Sequence, residues 1–450
     1  MIGSGHSTPA AGSDAVVGAR DICSKPASDT FPRRWTGPPH RRWRPPLIES
    51  PPPAPAPPPV KVLSGLSTSS RQRDLRLDFF RGVALMFIFI DHIPGNVLSY
   101  FTLQSVGFYD AAEVFIFVSG FTASLVYGRA LVAKGALYAT AQVLRRAWQL
   151  YVAHIFLFMI FIAEVSYTVM TFNNPMYNEE MRVGDFLQEP HIAVIKALLL
   201  QFQPTFLDIL PLYIVLMAFF PLVLIGLRLQ PLLVVIPSFL LYVAVQTLGL
   251  EVPTYPAGNH WFFNPLAWQF LFVSGAALAY RNERGTHLAK PPRPLMLIAA
   301  AVFVGCFIIK LSWTIHGVWD SFPALLLKPL WPVNKTSLAP LRLVPFLALV
   351  LLVGVLVPAQ AGFLRSRLAR PLVVCGQQSL EIFCLGIVLS SLAHFILTEY
   401  GDSLPGQLAV TVAGITAMCL TAKMIAWYRT LDRAPAPSPA IEERSERKAA

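Results

Sequence analysis

An all-α, polytopic integral membrane protein is the fold class predicted for this chain of 450 residues, with about ten transmembrane helices and both termini in the cytoplasm. Composition, recurring apolar runs and the placement of Lys and Arg between them carry that prediction. The chain is 54% hydrophobic and only 14% charged, against about 25% charged in an ordinary soluble domain. Apolar runs of about 20 residues, the length a bilayer demands of a helix, recur at 78–98, 111–133, 145–170, 207–227, 230–249, 264–281, 294–312, 341–360, 371–398 and 406–428. A shorter piece, "HIAVIKALLLQFQ" at 191–203, reads as an interfacial helix.

The connecting loops orient these spans, because Lys/Arg-rich loops stay in the cytoplasm. Arg71, Arg73 and Arg76 precede the first span, and Lys134, Arg145 and Arg146 lie between the second and third. Arg228 sits in the four–five turn, "RNERGTHLAKPPR" fills the six–seven loop, "RSRLAR" the eight–nine loop, and Arg429 and Arg433 close the last span. The alternate loops are poor in positive charge: "FTLQSVGFYD" has none, and "NEEMRVGDFLQEPH" holds one Arg among its acids. Lys328 and Lys335 break the pattern in the seven–eight loop. This distribution accounts for the net charge of +11 as a topological signal and excludes a nucleic-acid partner. The five cysteines form no CxxC pair, so neither a disulfide framework nor a metal site is expected.

Three regions follow. Residues 73–430 form the membrane domain, flanked by disordered cytoplasmic tails at 1–72 and 431–450. Fourteen of the 39 prolines precede position 60. "PPPAPAPPP" favours an extended polyproline coil that cannot bury a core. The tail lacks the apolar stretch of a signal peptide; it reads as a disordered tail or as a ligand for an SH3-like domain.

The first span, "DFFRGVALMFIFIDHIPGNVL", carries Asp78, Arg81, Asp91 and His92. Each charge at a helix centre costs roughly 2.5–3.5 kcal/mol on insertion scales. At 100° per residue, Asp78, Arg81, Leu85, Ile88 and His92 fall on one stripe and Asp91 points away from it. Asp78 then lies at the cytoplasmic edge, with His92 about 21 Å deeper. Asp78 and Arg81 read either as a self-neutralising i,i+3 pair or as part of a site. His92 reads as functional, since a costly intramembrane ionisable group is a functional-site candidate by default. Glu113, one turn inside the second span, lies at similar depth; it either faces outer water or holds the imidazole. Adjacent Arg145 and Arg146 point 100° apart, so one faces the bundle, where a guanidinium fork suits phosphate or carboxylate. Trp261 and Trp268, in "HWFFNPLAWQF", fit an interfacial belt or a platform for sugar rings.

"LDFFRGVALMFIFIDH", "FIFVSGFTAS" and "LRRAWQLY" resemble the opening spans of the membrane acyltransferase superfamily known as acyltransferase family three. With "LDILPLYIVL", "FNPLAWQFLFVSG", "LAPLRLVPFLAL" and "CGQQSLEIFCLG" in order, the chain more specifically resembles the OpgC family, over about 71–428. That resemblance implies an inner-membrane enzyme that moves an acyl group, expected to be succinyl, from cytoplasmic acyl-CoA to hydroxyls of a periplasmic glucan. His92 would be the general base, with Glu113 orienting it. Asp78, Arg81, Arg145, Arg146, Trp261 and Trp268 would bind substrates. Acyl-CoA would be a donor substrate, with no permanently bound cofactor and no metal. The bilayer, the glucan and candidate glucan-synthesis machinery would be the partners. The superfamily's third-span Arg-x-x-Arg is an adjacent pair here, and the tail has no counterpart. A transporter of glucan or a small anion, or a non-catalytic partner of a glucan synthase, are the rival expectations.

Overall fold

The computed structural model describes residues 74–172, 174, 176–283, 291–314 and 333–431. Expectations for 1–72, for residues 432–450 and for Lys328 lie outside the described residues. Fourteen α-helices and no strand are found among them. They are α1 (Leu75–Asp91), α2 (Ala111–Lys134), α3 (Ala136–Phe172), α4 (Met176–Glu180), α5 (Gly184–Gln188), α6 (Pro190–Leu198) and α7 (Ile209–Leu229). There follow α8 (Leu232–Leu248), α9 (Pro265–Glu283), α10 (Arg293–Thr314), α11 (Pro340–Leu356), α12 (Ala369–Gln377), α13 (Ser379–Tyr400) and α14 (Leu404–Leu431). Six helices, α2, α3, α7, α10, α13 and α14, are long and apolar enough to cross a membrane, and α8 and α11 are shorter apolar helices. Every segment expected to span is helical, and the piece read as interfacial forms α6.

Local chemistry sets the ends that matter for function. Asp74 caps α1 by accepting from the Arg76 N–H at 3.0 Å. Pro94 and Gly95 prevent the helix from continuing, so α1 stops at Asp91, seven residues short of the apolar run. At α2, Asp110 and Glu113 form a reciprocal capping box, each side chain serving the other residue's end of the turn. The ninth run is not continuous: Gln378, at φ −108° and ψ 38°, separates α12 from α13.

Two helix crossings bring backbones together. A Cβ on Gly82 would collide with the carbonyl of Leu372, and one on Gly376 with that of Asp78, so α1 and α12 meet through reciprocal glycines. The quartet Phe-Val-Ser-Gly occurs at 117–120 in α2 and again at 272–275 in α9. Gly120 there lies on the Phe272 carbonyl and Gly275 on that of Phe117. Gly376→Ala is expected to push α12 away from α1. Membrane-extracted protein should then melt at a lower temperature than wild type, whereas Gly354→Ala, which has open space for a Cβ, should not change the melting curve.

Candidate active site

His92 follows α1 directly, at φ −89° and ψ 1°. This is the sparsely populated bridge between the helical and extended regions, where many active-site residues sit. Its Nδ1 lies 2.6 Å from the Ile88 carbonyl oxygen. A carbonyl only accepts, so Nδ1 carries the proton and Nε2 keeps its lone pair. The ring packs edge-on against Phe206 at 4.9 Å between centroids.

Around it is a cavity of about 250 Å³ whose wall includes Asp91, Asp110, Asp208, Lys335 and Arg182. Phe206, Phe262 and Phe383 supply its apolar side. Asp91 accepts from Thr102 Oγ1 at 2.7 Å and from Gln104 Nε2 at 3.1 Å, both on one carboxylate oxygen. The expectation that Asp91 points away from His92 is thereby corrected. Helical projection stops applying where the helix ends, and both residues turn to one cavity.

Asp110 Oδ2 sits 2.6 Å from Lys335 Nζ and 3.0 Å from Arg342 Nη2. Burial works to raise the Asp110 carboxyl, but the Lys335 and Arg342 cations outweigh it and hold the group well below the usual carboxylate range. Glu113, 0% exposed, is placed differently from expectation. Its Oε1 takes Arg342 Nε at 2.7 Å, and its Oε2 takes the Asp110 N–H at 2.9 Å. Both oxygens are thus committed to α2 and α11. The carbonyl of Ile88, not Glu113, fixes the His92 ring.

The remaining expected site residues divide. Asp78 (3% exposed) accepts from Gln377 Nε2 at 3.3 Å, across to α12. Arg81 donates to Thr122 Oγ1 at 3.0 Å on α2. These contacts bind helices together at the end of α1 opposite His92. Arg145 is exposed on α3, while Arg146 is half-buried and donates to Gln149 Oε1 at 3.4 Å. Trp268 is corrected outright as a sugar platform: it is 0% exposed, its indole N–H shared between the Lys335 and Thr336 carbonyls at 3.1 Å each. It supports the turn that presents Lys335. Trp261 is buried too, but lines a second cavity beside the first.

Asp208, Lys335, Arg182 and Arg342 carry the geometry without having been singled out as site residues. Asp208 and Arg342 do lie within the stretches "LDILPLYIVL" and "LAPLRLVPFLAL". Arg182 and Lys335 were visible as cations on the side that the charge pattern leaves poor in them.

The model of one protein family, described as OpgC protein, matches residues 73–430. The chain belongs to the OpgC family. No curated protein and no solved structure is similar enough to match. Membership and the apolar helices together make this a glucan-modifying membrane protein of the transferase class.

Proposed function

We propose that this OpgC-family protein is an O-acyltransferase of the inner membrane. It would take an acyl group, succinyl by family resemblance, from cytoplasmic acyl-CoA to a hydroxyl of a periplasmic glucan. The observation that carries the reading is the His92 tautomer: Nδ1–H is tied to the Ile88 carbonyl, leaving the Nε2 lone pair free beside a cavity whose wall holds charged side chains. His92 Nε2 takes the proton of the acceptor hydroxyl as its oxygen attacks the thioester carbonyl carbon. The C–S bond then breaks, and the imidazolium returns the proton to the departing coenzyme A sulfur. Atoms and charge balance with no further reactant.

The donor needs a way to His92. An apolar cavity of about 430 Å³ runs along α1, α2 and α11, from Asp74 and Arg76 at one end to Leu103 at the other. Leu103 adjoins Gln104, which lines the His92 cavity. This groove is the proposed path of the acyl-bearing arm. Arg145 and Arg146 are the proposed ligands of the donor phosphates. Arg81, buried against α2, is assigned to helix packing instead.

Mass spectrometry of periplasmic glucan from cells lacking the chain tests the reading. Glucan should be exported in normal amount and carry no acyl substituent. Glucan retained in the cytoplasm would instead indicate a transporter.

A further inference from the structure

Beside the His92 cavity lies a larger and more polar one of about 640 Å³. The two share Arg182 and Phe262 in their walls, so only these side chains need stand between them. We propose that this second cavity is the acceptor site. It takes a neutral, hydroxyl-rich saccharide chain and passes one hydroxyl between Arg182 and Phe262 to His92. The inference rests on the transferase reading above and adds to it where the acceptor binds and by what chemistry.

Two chain segments, distant in sequence, build the cavity, and Thr336 completes it. One runs from Asn178 to Gln203 and the other from Glu251 to Phe262. Backbone bonds fix the second segment in place. Thr254 N–H donates to the Asn259 carbonyl at 2.9 Å, Trp261 N–H to that of Val252 at 2.9 Å, and Tyr255 N–H to that of Gln201 at 2.8 Å. Gly258, at φ +94°, makes the tight turn between them. The wall is therefore formed before any ligand arrives, which lowers the cost of binding.

The lining chemistry selects a sugar. Tyr255 and Trp261 bring aromatic rings to the wall, a surface suited to the C–H side of a hexose, and side-chain amides bring donors and acceptors for its hydroxyls. Two acceptors on lining residues, Asn178 Oδ1 and Gln203 Oε1, are buried with no hydrogen-bond partner among the described residues. Gln203 is held in that orientation, since its Nε2 donates to the Leu200 carbonyl at 2.9 Å. A buried acceptor without a donor is unusual in folded proteins, and both belong to side chains of this wall, where the proposed ligand brings hydroxyl donors. Glu179, Asp185 and Glu251 stand against Arg182 and His260, so the wall disfavours an anionic chain or a phospholipid headgroup.

The test uses the full-length protein in detergent, titrated calorimetrically with a ladder of linear gluco-oligosaccharides and assayed for acyl transfer to glucan. Wild type should bind, with affinity rising along the ladder to a plateau. Gln203→Met preserves length but removes the buried acceptor, and should weaken binding by about 3–10-fold. The glucan KM should rise by a similar factor and the acyl-CoA KM should not move. Asn259→Ala, at an exposed position, should weaken binding in the same way without risk to the fold. If transfer proceeds and both variants bind and turn over glucan as wild type does, the acceptor lies elsewhere and this proposal is lost while the transferase reading stands. If wild type binds saccharide but transfers nothing, the transferase reading is lost and the saccharide site survives it.

Discussion

Replacing His92 by Gln is expected to leave the protein in the membrane in normal amount and to lower acyl transfer by about 10²–10⁴, the usual worth of general-base catalysis. Gln is polar and of similar size, and its amide can still donate to the Ile88 carbonyl as the Nδ1–H does. It cannot take a proton. The measurement is the acyl content of periplasmic glucan at matched membrane protein level, with transfer rates for purified protein. Fully substituted glucan from the variant would make His92 a structural residue. Glu113→Gln should reduce transfer far less, because Glu113 touches Arg342 and not the base.

Arg342→Met should have the largest effect on stability. Arg342 lies between two carboxylates, 2.7 Å from Glu113 and 3.0 Å from Asp110, and Glu113 is fully enclosed. Removing one member of a buried ion pair typically costs about 3–5 kcal/mol, because the charge left behind has lost its compensation. Extracted protein should melt far lower, and membrane levels should fall with it. Adding Glu113→Gln to the same chain should recover much of the loss, since the neutral amide still accepts from the Asp110 N–H. Arg342→Lys should fall between, because a single ammonium does not match a fork shared by two carboxylates. A melting curve unchanged in the Met variant would mean that the pair contributes nothing to holding α2 and α11 together.

Helix positions were legible because they depend on local quantities: apolar length, capping residues and breaker residues act within a few positions of one another. The reading of span one failed at the point where that logic stops. Projection along a helix turned Asp91 away from the stripe that holds His92, yet Pro94-Gly95 ends α1 before the apolar run does, and both residues turn to one cavity. Glu113 was paired with the wrong group because depth in a membrane says nothing about azimuth. Its partner, Arg342, is 229 residues away. The group that orients His92 is a backbone carbonyl, which no residue type can announce. Trp268 looked interfacial by composition, and its indole instead supports the Lys335 turn. Arg182 and Lys335 were legible in a different sense. They stand out against the charge pattern of the loops, and both line the His92 cavity.

The meeting of α1 with α12 has a consequence for how the protein is made. Asp78 and Gln377, which touch across that contact, are 299 residues apart. At a synthesis rate of about 5–20 residues per second, roughly 15–60 s pass between their emergence from the ribosome. The helix that carries His92 is thus among the earliest parts in the bilayer, and its closest neighbour among the last. Until translation is almost finished, α1 therefore lacks the helix whose glycine its own Gly82 is placed to meet.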